Sequence, residues 1–363
     1  MPVSSNTQMH IRAARDRVLV RTGGRLRPKA ILSWSQALRC VLFHHVSDRP
    51  SPFTDGLGIR CTPRAFEKSI RFLARHYTPI SLDALLSTPD WSELPPRSVL
   101  VTFDDAYASV AEVAAEICAT YKVPAAFFVN AAFVDSRDLA LDNLVCYVTN
   151  RAGFNEVRRA VSDITRAAPS VTSASRISRE VLPVLGLEQR RRLRKRLAVT
   201  AGIDPVQLAG EARLYVSAAQ LSAIQAMGFE IGNHTWSHVY CRHLTGGDLE
   251  TEIAGNQRAL ESIVGRSVRG FSLPYGSSRD LTPAVIQELD RTGHRAAFLS
   301  ESLPNTAGAD RFRVSRTSLH RCSSAGLFSE IEVLPHLRQA RDYLTGASSS
   351  GVRSGPRQQQ RQS

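Results

Sequence analysis

The chain predicts an α/β fold built on a mainly parallel, barrel-like sheet. Two observations carry this expectation: short apolar runs rich in Val, Ile and Phe alternate with amphipathic helical patterns, and polar residues able to do chemistry follow one run after another. In a parallel barrel the carboxyl ends of the strands share one face, so groups scattered along the sequence converge there.

The elements follow in order. Cys40 to Phe43 reads as the first strand and ends at His44-His45; Arg64 to His76 reads as a helix with Phe66, Ile70, Leu73 and Tyr77 on one face. Ser98 to Phe103 is the next strand and ends in Asp104-Asp105, followed by an Ala-rich helix from Ser109 to Tyr121. Ala125 to Val129 ends at Asn130. A stretch from about Asp135 to Arg213 then interrupts the alternation, and its pattern is mostly helical. Because it leaves from the carboxyl end of a strand, it is expected beside the barrel mouth, where it would shape substrate choice. Ser217 opens a helix with a Ser-x-x-Gln capping box, and Gly228 closes it. Phe229 to Ile231 leads to His234 and His238, Asp248 to Val264 is helical, and Val268 to Leu273 leads to Pro274-Tyr275-Gly276. Thr282 to Thr292, stopped by Gly293, is the last helix of the alternation, with strands at Ala296 to Leu299 and Phe312 to Ser315. The expected organisation is a basic arm over 1–37, a barrel domain over 38–347 with its insertion at about 135–213, and a tail over 348–363 whose Ser, Gly, Gln and Arg content predicts disorder.

Composition narrows the setting. With 363 residues there is ample chain for a buried core, and no run of about eighteen apolar residues reads as a transmembrane helix. Arg12, Arg15, Arg17, Arg21 and Arg25 lie at the N-terminus without the apolar core of a secretory signal, so the expected location is cytoplasmic, with peripheral membrane association open to it. The six cysteines, Cys40, Cys61, Cys118, Cys146, Cys241 and Cys322, form no Cys-x-x-Cys pair and are expected to be buried singly as small hydrophobes. The net charge of +13 gathers in the arm, the tail and the run from Arg190 to Arg196. That run reads as a solvated helical face, with no specific nucleic-acid binding expected; as a functional surface it would attract anionic glycans, lipid-linked sugar phosphates or a membrane surface.

The chemistry rests on Asp104-Asp105 and on His234 and His238, four residues apart. A carboxylate and two imidazoles are the ligand set of a hydrolytic zinc site with one open position, and a second carboxylate beside it can take the proton of an attacking water. At the end of a strand both carboxylates can be aimed at one cavity, and a helical turn after Asn233 would put both imidazoles on one face.

These residues resemble the polysaccharide deacetylase family, carbohydrate esterase family 4, also called the NodB-homology domain. Thr102-Phe103-Asp104-Asp105 is similar to the family's first motif, which implies that Asp104 is the general base and Asp105 a metal ligand. His234-Thr235-Trp236-Ser237-His238 resembles the second, which implies that His234 and His238 are the other two ligands. Arg269 to Gly276 resembles the third, in which the N–H of Tyr275 would help form an oxyanion hole. The resemblance covers roughly residues 38 to 134 and 214 to 320, and it implies a distorted (β/α) barrel. It also implies a divalent metal, Zn²⁺ first among them, and hydrolysis of the N-acetyl group of an amino sugar in a polysaccharide or lipid-linked precursor. Two departures qualify it. Ser272 stands where many members carry an Arg that orients the catalytic Asp, so Asp104 is expected to be held differently. A late Leu-x-His motif is missing, and Val41 to Val46 resembles a permuted branch with an early Tyr-His pair, which puts His45 in the place of the proton donor. His44 replaces the Tyr, and His320 is the weaker candidate. Two alternatives stand: a deformylase or small-amide amidohydrolase on the same fold, and a catalytically silent glycan-binding protein.

Overall fold

The computed structural model describes residues 37–166, 170–319 and 324–345. Its strands are β1 (Leu38–Phe43), β2 (His45–Val46), β3 (Arg60–Cys61), β4 (Thr78–Pro79), β5 (Ser98–Phe103), β6 (Ala125–Val129), β7 (Glu230–Asn233), β8 (Gly270–Ser272), β9 (Ala296–Leu299), β10 (Val314–Ser315) and β11 (Thr317–Ser318). The main sheet runs β10-β9-β8-β7-β6-β5-β1-β11, all pairs parallel, with β4 beside β5. The order nearly closes on itself: Val314 and Ser315 pair with Phe298 and Leu299 of β9, and Thr317 and Ser318 pair with Val41 and Leu42 of β1. One run, 314–318, therefore laces the last strand to the first. The result is the barrel surrounded by helices that the alternation predicts.

The period of two along each strand sorts the side chains. Val41, Phe43, Val99, Val101, Phe103 and Phe127 pack outward on the helix Pro63–His76 through Phe66, Ile70 and Leu73. Leu38, Cys40, Leu100, Ala126, Phe128 and Phe298 form a separate inner cluster. Both faces are buried, so the strands read as continuous apolar runs rather than alternating ones. Gly232 belongs to the inner set of β7: a Cβ there would lie 2.3 Å from the Phe128 ring.

Local chemistry sets the ends of the elements. Thr62 caps the helix Pro63–His76 by accepting from the Ala65 N–H, and Ser217 and Gln220 form the expected capping box on the helix Ala218–Ala226. The expected strand from Phe312 is shorter, because the Asp310 side chain accepts from the Phe312 N–H and winds 311–313 into a 3₁₀ turn. The segment between β6 and β7 is helical, with helices Leu141–Ala152, Phe154–Thr165, Leu187–Ala201 and Pro205–Ala212 and a shorter helical stretch from Ala174 through Val184. It has its own core around Leu144, Val148, Val157, Ile177, Leu193 and Leu197. Cys40, Cys61, Cys118, Cys146 and Cys241 are buried and unpaired; Cys322, the arm and the tail lie outside the described residues. Among the described residues no helix is long and apolar enough to cross a membrane.

Candidate active site

Asp104, Asp105, His234, His238 and Tyr275 line one cavity of about 500 Å³ at the carboxyl ends of the strands. The inward register explains much of the wall: Leu42 and His44 continue the inner face of β1, Asp104 that of β5, Asn130 that of β6, His234 that of β7 and Ser300 that of β9.

Asp104 is buried and its carboxylate accepts three hydrogen bonds. Arg316 donates Nη1 to Oδ1 at 2.8 Å and Nη2 to Oδ2 at 2.7 Å, and the Ser272 hydroxyl donates to Oδ2 at 3.1 Å. The His234 Nε2 lies 3.8 Å away. Burial alone would raise the pKa of this carboxyl, but the Arg316 guanidinium outweighs it and holds the group below the usual carboxylate range. Arg316 is itself fixed by the Leu299 carbonyl at 3.1 Å and the Ser272 hydroxyl at 2.8 Å. The guanidinium that Ser272 does not provide thus arrives from the run that closes the barrel.

The two imidazoles are held from behind. His234 Nδ1 lies 2.8 Å from the Ser272 carbonyl, and His238 Nδ1 lies 3.0 Å from Oδ2 of Asp142. A carbonyl can only accept, and Asp142, buried among donors, also accepts; both Nδ1 atoms therefore carry a proton, and in the neutral rings that bind a metal both Nε2 atoms present lone pairs. Each Nε2 lies 3.3 Å from Oδ1 of Asp105, an oxygen that is buried and has no hydrogen-bond donor. The three ligand atoms fall within 4.8 Å of one another. Three converging lone pairs repel each other unless a cation sits among them, so the donor set fits a metal with two imidazoles and a carboxylate.

The loop that carries the imidazoles is not the expected helical turn. Thr235 and His238 adopt φ of +63° and +54°. The backbone finds its partners in side chains instead: Asn130 Nδ2 donates to the carbonyls of His234 and Thr235, and Glu252 accepts from the N–H and hydroxyl of Ser237. With those groups satisfied, the loop does not need i to i+4 bonds.

His44 lines the cavity, and the charges of Asp105 and Asp104 act on it; burial pulls its pKa down while those carboxylates oppose the fall. His45 belongs to β2, which pairs with β3 outside the main sheet, and its ring lies 5.2 Å from that of Tyr107, a residue of the cavity wall. It is buried, its Nδ1 lies 2.8 Å from the Ser109 hydroxyl, and burial lowers its pKa to about 4. It is absent from the cavity wall, where the permuted resemblance expected it: it stands behind Tyr107, while the preceding residue, His44, lines the cavity. His320 lies outside the described residues. Tyr275 sits at φ +56°, packs its ring at a tilt 4.6 Å from that of His238 and donates its hydroxyl to Asp142.

The helical segment reaches the site directly. Asp142, Asn143, Ser175, Ser178 and Arg179 line the cavity, and Arg190 donates to the His238 carbonyl at 2.9 Å. Arg190 is buried, so the basic run is not wholly the solvated face its composition predicts; Arg191, Arg192, Lys195 and Arg196 are exposed. Arg316, Asp142 and Arg190 carry no motif. The one sequence signal was that Arg316 directly follows an expected strand.

Residues 92–296, more than half of the chain, match the model of the polysaccharide deacetylase family. The chain belongs to that family. A chitooligosaccharide deacetylase of Azorhizobium caulinodans is 43% identical over 54 residues, 15% of this chain, and the chain spans only 26% of the length of that relative. Among solved structures, the Streptococcus pyogenes deacetylase PplD in complex with acetate has a TM-score of 0.54 at 13% identity, over 81% of this chain and 98% of that one. IcaB from Ammonifex degensii has a TM-score of 0.51 at 18% identity, over 81% and 96%. At these identities the likeness shows the fold, the deacetylase barrel, and the site must be argued from its own geometry.

Proposed function

We propose that this polysaccharide deacetylase family member is a metal-dependent hydrolase that removes the N-acetyl group from an N-acetylated amino sugar, in a polysaccharide or a lipid-linked precursor. The observation that carries the reading is the convergence of lone pairs from Asp105, His234 and His238 beside a buried, ionised Asp104. A divalent cation held by those three residues, Zn²⁺ by its nitrogen-rich donor set, would polarise the acyl carbonyl and acidify a water.

The chain's own groups supply the rest. Asp104, fixed by Arg316 and Ser272, takes the proton of the attacking water. The N–H of Tyr275, on a left-handed turn in the cavity wall, donates to the oxygen on which negative charge develops. His44 protonates the departing amine: it is the imidazole beyond the ligands that lines the cavity among the described residues. Family membership and the likeness to the Azorhizobium chitooligosaccharide deacetylase support a sugar amide as substrate.

The test is acetate release from a panel of N-acetylated oligosaccharides, with the protein as purified, stripped by a chelator and reloaded with Zn²⁺. Release that is lost on stripping and restored on reloading is expected. Turnover of N-formyl sugars or small amides alone would replace the reading with a deformylase or amidohydrolase. Saturable glycan binding without turnover would make the chain a glycan-binding protein.

A further inference from the structure

The helix Leu141–Ala152 belongs to the segment between β6 and β7, away from every motif that supplies a metal ligand, yet it places a carboxylate behind one of them. Asp142 is 6% exposed, and its oxygens take three donors: His238 Nδ1 at 3.0 Å and the Tyr275 hydroxyl on Oδ2, and the Ser178 hydroxyl on Oδ1. Among these donors the nitrogen is Nδ1 of the His238 imidazole. A buried carboxylate is costly unless it is paired and hydrogen-bonded, and here the pairing is with the ring whose far nitrogen faces Asp105. The two imidazoles are not equivalent. His234 leans on a neutral carbonyl, that of Ser272, whereas His238 leans on a full negative charge, which makes its Nε2 the more basic donor. The same helical segment grips His238 a second time, through Arg190 on the His238 carbonyl.

We propose that Asp142 is a positioning residue of the metal centre: by accepting the Nδ1–H of His238 it fixes the tautomer that turns Nε2 toward Asp105, and it thereby makes the helical segment a working part of the site. The proposal rests on the reading that Asp105, His234 and His238 hold a metal. Loss of such an outer partner weakens metal binding about 10- to 100-fold. An Asn in its place can turn an N–H toward Nδ1 and favour the opposite tautomer.

The experiment uses the full chain. Zn²⁺ affinity is measured by chelator competition, and the electronic spectrum is recorded after Co²⁺ substitution, for the wild type, Asp142→Asn and Asp142→Ala. Both variants are expected to bind Zn²⁺ roughly 10- to 100-fold more weakly and to show an altered Co²⁺ spectrum, while the metal-free melting temperature of Asp142→Asn stays close to that of the wild type. Unchanged Zn²⁺ affinity and Co²⁺ spectrum in Asp142→Asn would overturn the proposal and leave the metal reading standing. A wild type that binds no Zn²⁺ would overturn both. Should the variants fail to fold, ¹⁵N-histidine spectra of the Zn²⁺-loaded wild type decide the matter: His238 protonated at Nδ1 and metallated at Nε2 is expected, and the reverse overturns the assignment.

Discussion

At Asp104 and Asp105 two adjacent carboxylates reach one cavity because of a single backbone angle. Asp104 continues the inner face of β5, and Asp105, which strand alternation would send outward, is turned back by a φ of +68°. A left-handed angle at a non-glycine residue costs on the order of 1 kcal/mol or more, and such strain gathers at functional sites. The geometry divides the labour, since Arg316 neutralises Asp104 while Asp105 keeps a bare oxygen toward both imidazoles. Asp104→Asn should therefore keep the metal and lose about 10²- to 10⁴-fold in rate, whereas Asp105→Asn should lose both, as elemental analysis and turnover will show. Equal metal loss in the two variants would mean that the roles are wrongly divided. The choice between His44 and His45 turns on which of the two neighbours lines the cavity, and it is His44. His44→Ala should depress turnover of amides far more than that of an aryl acetate, whose leaving group departs without a proton, and His45→Ala should do much less. A larger selective loss in His320→Ala would move the acid to that residue.

The helical segment between β6 and β7 changes meaning once its arginines are placed one by one. Arg190 is buried between the Leu182 and His238 carbonyls, and Arg194 pairs with Asp138, whereas Arg191, Arg192, Lys195 and Arg196 face solvent. Replacing the four exposed cations with Gln should leave turnover of a neutral oligosaccharide unchanged. For an anionic or membrane-held substrate it should lower turnover by an amount that shrinks as salt rises, because exposed charges are screened beyond about 8 Å at physiological ionic strength. Arg190→Gln should instead weaken the site at every salt concentration, with the ratio of its turnover to that of the wild type flat across the titration. The composition of 190–196 showed a basic helix but could not show which arginine pointed inward, since that depends on how the helix packs. The motif residues were legible for the opposite reason. Asp104 with Asp105, and His234 with His238, are close in sequence, and each pair follows a strand whose apolar run gives away its end. Arg316 meets Asp104 from 212 positions away, and Asp142 meets His238 from 96; such pairings belong to topology and leave no local pattern.

The molecule as a whole is held by contacts that join its extremes. Arg39 in β1 and Glu332, at the start of the C-terminal helical stretch, form a buried pair with N to O distances of 2.8 and 3.1 Å. Glu332→Leu should strand the guanidinium and destabilise the fold by on the order of 3–5 kcal/mol, read as a lower urea midpoint, and adding Arg39→Met should recover much of the loss. The barrel was legible from the alternation of strands and helices, and β10 within the expected strand Phe312 to Ser315, but the closure was not, because β11 is only two residues, Thr317 and Ser318, with no apolar run. That closure has a consequence for how the enzyme would fail. The strand pairings of the seam at 314–318 are two residues long on either side, so its hold rests on the bonds of the buried Arg316, and once those part it is where the barrel would open. It also carries the charge that keeps Asp104 in place. On heating, turnover should fade several degrees before the helical circular dichroism signal falls, and it should return on prompt cooling: the seam would act as a fuse that trips while the rest of the circuit is still intact.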